Sequence, residues 1–135
     1  MIQRLQTVFL ILAGLINFFI FFTPIYSRAQ QDPAAWIGIL FSVLLTGAML
    51  LSIYAIFLYK DRIKQLKWVG YGLYFQVAAL AAGAGILFTL GGFGRFLMQE
   101  ALSVLLLLIA LVALLLARRY IRKDQELVES MDRIR

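Results

Sequence analysis

Residues 101 to 117, ALSVLLLLIALVALLLA, run for seventeen positions without a charge. No other feature limits the fold as strongly. A helix apolar on every side has no face for water, and about 20 such residues cross a hydrocarbon core about 30 Å thick. Four stretches have this character, roughly 7 to 26, 36 to 59, 68 to 90 and 97 to 117. Bilayer interiors admit only helices or closed barrels, and these runs lack the alternation of barrel strands. The expected fold is therefore all-α: a polytopic membrane protein with four transmembrane helices in a bundle. Composition agrees, since 63% hydrophobic residues and a mean hydropathy of +0.90 exceed what a soluble chain of 135 residues carries.

The edges of the spans carry their own marks. Trp36, Trp68, Tyr26, Tyr59 and Tyr120 fall near the expected ends, where amphipathic rings favour the headgroup level. Pro24 and Pro33 bracket a first loop, PIYSRAQQDP, and Pro33 is also placed to open the second helix. GGFGR at 91 to 95 reads as a tight turn. Eleven of the thirteen Lys and Arg lie at Arg4, in the loop from Lys60 to Lys67 and in the C-terminal tail; only Arg28 and Arg95 lie on the other side. By the positive-inside rule both termini are expected in the cytoplasm. Arg4, an apolar run and the small pair Ser27 and Ala29 also resemble a signal peptide, but the apolar run exceeds the 7 to 15 residues of a signal core, by the approximate limits known for such segments.

Several chemistries are excluded or disfavoured. With no Cys and no His there is no disulfide, thiolate chemistry or ordinary haem ligation, and most zinc sites lose their ligands. No span carries a charge in its central part or a pair of acids for acid/base work, so catalysis and ion-coupled transport are not expected, nor is any cofactor or metal. The net charge of +6 sits beside the apolar runs, which speaks for topology and against nucleic acid. Glu100, in the first turn of the fourth span, reads as an interfacial cap near Arg95.

What polarity remains inside the spans is uncharged. Asn17, Ser52 and Gln76 fall at similar depths when about 1.5 Å is allowed per residue, so they are candidates for intramembrane contacts, either as glue between helices or as the lining of a path for a polar solute. In AALAAGAG, 78 to 85, the pairs Ala79/Gly83 and Ala81/Gly85 are candidates for close helix packing, within the monomer or between copies.

The tail, RRYIRKDQELVESMDRIR, 118 to 135, holds ten of the twenty charged residues. Helical periodicity gathers Ile121, Leu127, Val128, Met131 and Ile134 on one face, while Arg122–Glu126 and Glu129–Arg133 stand at the spacing of helix ion pairs. It reads as a short cytoplasmic amphipathic helix distinct from the domain at 1 to 117. Leu127, Val128, Met131 and Ile134 are candidates to dock on lipid, on the basic loop or on a partner. Gln3, Arg4 and Gln6 could meet its acids Asp124, Glu126, Glu129 and Asp132.

The opening MIQRLQT and the closing Ile121, Lys123, Asp124, Leu127, Val128, Ser130, Asp132, Arg133 and Arg135 resemble the two ends of a family of small four-span proteins of Bacteroidota, domain of unknown function 4293. The resemblance implies a multi-pass protein of the bacterial inner membrane, and supplies no reaction, cofactor or site residue. The expected role is a non-enzymatic accessory or structural subunit surrounded by membrane lipids, docking a protein partner or a second copy through its cytoplasmic face. The alternative is a small transporter or channel for an uncharged polar solute.

Overall fold

The computed structural model describes residues 2–31, 35–89 and 98–134. Among them are five helices: α1 (Ile2–Ile20), α2 (Pro24–Gln31), α3 (Ala35–Phe57), α4 (Arg62–Thr89) and α5 (Met98–Ile134). Pro33 as a helix opener, the GGFGR turn with Arg95, and the start of the fourth span at Leu97 lie outside the described residues. By length and hydropathy α3, α4 and α5 can each cross a membrane, and α1 with α2, bent by 50° at their junction, makes a fourth if the pair is one broken span. The chain is built to be embedded in a membrane.

The long helices pack in a ring, each against its neighbours in the order α1, α3, α4, α5 and back to α1. Consecutive helices reverse direction. Contacts at successive levels fix the antiparallel register of α1 and α5: Phe9 stacks on Tyr120 with ring centroids 5.7 Å apart, while Asn17 and Leu107 share one hydrogen-bonded chain deeper in. The outside of the ring is apolar, with Phe19, Ile39, Phe57, Tyr74, Phe88 and Leu105 exposed. Water would penalise so large an apolar surface, whereas lipid tails match it.

Inside, two apolar clusters sit one above the other. Leu10, Ala13, Ala55, Val69, Leu73, Ala113, Leu114, Ala117 and Ile121 fill the half nearer the chain termini. Ile20, Ile25, Ala29, Phe41, Leu45, Ala79, Ile86 and Leu107 fill the other. Alanines make up a large part of the first, because lipid removes the hydrophobic drive between helices and close backbone approach replaces it.

Besides α1, which starts at Ile2 and breaks after Ile20 against an expected span of about 7 to 26, three boundaries depart from the sequence reading. The expected loop PIYSRAQQDP is helical from Pro24 to Gln31. Thr23 ends the preceding turn by donating its Oγ1 to the Ile20 carbonyl at 2.6 Å, and its own carbonyl accepts from the amides of Tyr26 and Ser27. Pro24 then occupies the first turn of α2, where a missing N–H costs nothing. Ile25 and Ala29, four apart, bury on one face against the ring. The third span does not wait for Trp68 but begins at Arg62 inside the basic loop. Asp61 caps it: Oδ1 accepts from the Lys64 amide at 3.2 Å and the carbonyl from the Gln65 amide at 2.9 Å.

The third departure is at the tail. The fourth span and residues 118 to 134 form one uninterrupted helix of 37 residues. At a rise of about 1.5 Å it is about 55 Å long, nearly twice a hydrocarbon core. The expected pairs Arg122–Glu126 and Glu129–Arg133 do not form among the described residues; Glu129 instead accepts from Gln125 Nε2 at 3.1 Å.

Candidate functional site

The seam between the two apolar clusters is where the uncharged polar side chains lie. Asn17 falls between Ala13 and Ile20, Gln76 between Leu73 and Ala79, and Ser52 between Ala48 and Ala55, all three buried. Asn17 Nδ2 donates to Gln76 Oε1 at 2.7 Å and to the Ala13 carbonyl at 3.0 Å; Gln76 Nε2 donates to the Leu107 carbonyl at 3.1 Å. One chain of bonds thus ties α1, α4 and α5. Ser52 does not join it, because its Oγ donates to the Ala48 carbonyl of its own helix at 2.7 Å. A hydroxyl that short reaches the carbonyl one turn back more easily than another helix. Asn17 Oδ1 is buried without a partner.

This tier can fix helix partners and hold a neutral polar group, and it has nothing with which to move a proton. Among the described residues no group of three Asp, Glu, His or Cys could hold a metal ion.

The small-residue pairs divide. Ala79 and Gly83 face inward, and a Cβ on Gly83 would come within 2.9 Å of Leu107 Cδ1. Ala81 and Gly85 face outward, and a Cβ on Gly85 would meet nothing within 4 Å. Between α3 and α4 a Cβ on Gly47 would overlap the Phe75 ring.

At the end remote from the termini, α2 closes the ring. Arg28 Nε lies 3.4 Å from Glu100 Oε1, so the buried Glu100 has a partner on α2, while its Oε2 has none. Tyr26 and Ser42 share a hydroxyl hydrogen bond of 3.0 Å, and Gln30 Nε2 donates to the same Ser42 Oγ at 3.1 Å.

At the end that holds the termini, Arg62 Nε pairs with Asp124 Oδ2 at 2.5 Å, clasping the start of α4 to α5. Above the clasp a cleft of about 310 Å³ is lined by Lys60, Asp61, Arg62, Ile63, Gln125, Val128 and Glu129. The apolar stripe of the tail splits there. Val128 turns into the cleft, whereas Leu127, Met131 and Ile134 are 46%, 68% and 87% exposed. Asp124 is thus held by Arg62; Arg4 is exposed and Gln6 is buried, while the Gln3 side chain lies outside what is described.

A model of the family described as Domain of unknown function (DUF4293) matches residues 34–134, about three quarters of the chain. The chain belongs to that family. A search of curated proteins and a search of solved structures each find no match. The DUF4293 match takes in α3, α4 and α5 with the closing motif as far as Arg133, and leaves out α1, α2 and the opening MIQRLQT. The Asn17–Gln76 bond therefore joins a helix inside the match to one outside it. Of the closing motif, Ile121 packs in the core, Asp124 meets Arg62 and Val128 enters the cleft, while Leu127, Ser130 and Asp132 are exposed.

Of two further buried amides, Gln65 escaped the sequence reading, and Gln6 reads there as a partner for the tail acids rather than as a buried group. Gln65 Nε2 donates to the Ala55 carbonyl at 2.9 Å with its Oε1 unpartnered, and Gln6 Oε1 is buried without a partner too. Both were hidden by charged neighbours. Their spacing marked them, since Gln6, Leu10, Ala13, Asn17 and Ile20 make one helical stripe and Gln65, Val69, Leu73 and Gln76 another.

Proposed function

We propose that this DUF4293 protein is a non-enzymatic accessory subunit of the bacterial inner membrane, with both termini in the cytoplasm. It docks a protein partner through the face made by the start of α4 and the end of α5. The observation that carries this reading is the tail of α5. It continues as unbroken helix beyond the apolar run, is clasped to α4 by Arg62–Asp124, and holds Leu127, Met131 and Ile134 exposed above a cleft lined by Ile63 and Val128. Apolar side chains presented on an ordered helix, rimmed by both signs of charge, fit a helix-in-groove contact. The excess of Lys and Arg at this end supports the cytoplasmic orientation.

The test is Leu127→Ser/Met131→Ser/Ile134→Ser in the tagged full chain, purified in mild detergent. Loss of a stoichiometric companion or of an oligomer seen with the parent supports docking; an unchanged assembly and phenotype overturn it.

The transport reading draws on a different observation, the unpartnered Asn17 Oδ1 beside Gln76 in the middle of the ring. Asn17→Ala and Gln76→Ala separate the two. A path for a polar solute would fail while assembly through the tail survives.

A further inference from the structure

One group of side chains remains outside both readings. Arg118, Arg119 and Arg122 line a pocket of about 240 Å³ together with Leu115. We propose that this pocket is a binding site for the phosphate of an anionic phospholipid. It does not rest on the docking reading above.

Positions 115, 118, 119 and 122 are three, four and seven apart, so they share one face of α5. None of the three guanidiniums is in an ion pair among the described residues: Asp124 is taken by Arg62, Glu129 by Gln125, and the Arg122–Glu126 pair does not form. Arg118 is half-buried, and its Nε is buried without a hydrogen-bond partner. That donor is desolvated in a residue that lines the pocket. Guanidinium forks match the oxygens of a phosphate, and three unneutralised cations favour a ligand with net negative charge.

The level of the pocket argues for lipid rather than a free anion. The uncharged run ends at Ala117, one residue before Arg118. On the same face below lie Leu108 and Leu115, 43% and 50% exposed, with Leu111 half-buried between them. An acyl chain lies along that stripe while the phosphate sits over the arginines. The pocket is smaller than the roughly 300 to 1,000 Å³ of sites that enclose a whole ligand, which suits a headgroup whose chains stay in the bilayer.

The experiment is native mass spectrometry of the full chain released from neutral detergent, after addition of phosphatidylglycerol or phosphatidylcholine with matched chains. Neutral micelles remove the general attraction of a charged surface. One phosphatidylglycerol per chain should be retained, with phosphatidylcholine weaker by about tenfold, the equivalent of one or two arginine contacts. Arg119→Gln/Arg122→Gln should weaken retention by about 25-fold, at about fivefold per arginine. Arg4→Gln/Lys67→Gln, an equal loss of charge at the same end, should leave it unchanged. Leu115→Gln keeps all three guanidiniums and should weaken phosphatidylglycerol severalfold, which guards against misfolding of the double variant. Equal retention of both lipids, equal loss in the two double variants, no loss in any of them, or displacement of the lipid by millimolar inorganic phosphate would each overturn the proposal.

Discussion

Gln76 is the side chain on which three helices meet, since it accepts from Asn17 on α1 and donates to the Leu107 carbonyl on α5. Replacing it with Leu removes both bonds and leaves the Asn17 amide only its bond to the Ala13 carbonyl, so the expected loss in a detergent unfolding titration is about 1 to 2 kcal/mol, near the upper end for membrane hydrogen bonds. Ser52→Ala should change stability by less than about 0.5 kcal/mol, because Ser52 only returns to its own helix. A double-mutant cycle on Asn17→Ala and Gln76→Ala should give a coupling of about 0.6 kcal/mol or more. The glycines make a second contrast. Gly83→Leu drives a side chain into Leu107 and should cost about 1 to 3 kcal/mol, whereas Gly85→Leu enters open space and should leave the folded chain's stability unchanged or slightly improved. Depth along the sequence was enough to bring Asn17 and Gln76 together as candidates. It could not decide Ser52, because which carbonyl a short hydroxyl chooses depends on rotamer and on the helix opposite.

At the level of the helices, hydropathy reports which residues suit lipid and not where a helix begins or ends. That is why α3 matched its expected span within two residues at each end while α4 starts six residues early and α5 runs on through charged sequence. The cap at Asp61 and the proline at 24 were the local signals for α4 and α2, and both sat in segments polar enough to pass for loops. Asp124→Ala opens the clasp to Arg62; with both side chains only partly buried, the effect on global stability should stay within about 1 kcal/mol, but amide hydrogen exchange over 125 to 134 should rise while that over 101 to 117 does not. Ile25→Ser places a hydroxyl in the apolar cluster under α2 and should loosen that helix, read as faster exchange over 24 to 31.

For the molecule as a whole, the sequence carried the membrane character, the all-helical class and the family, because a bilayer leaves the backbone few alternatives. Its natural lack of Cys makes sidedness easy to test. With Ser130→Cys and Gln30→Cys introduced singly, a membrane-impermeant thiol reagent applied to intact spheroplasts should label position 30 and not 130, and the pattern should reverse on inside-out vesicles. The unbroken course of α5 gives this arrangement a mechanical side. The stretch from Arg118 to Ile134 extends about 25 Å past the apolar run at about 1.5 Å per residue, so tilting the helix by about 10° in the bilayer sweeps its tip by about 4 Å. A helix that continues unbroken past its apolar run has the geometry of a lever arm. Were it to tilt as one piece, the displacement would be greatest at Leu127, Met131 and Ile134 near its far end.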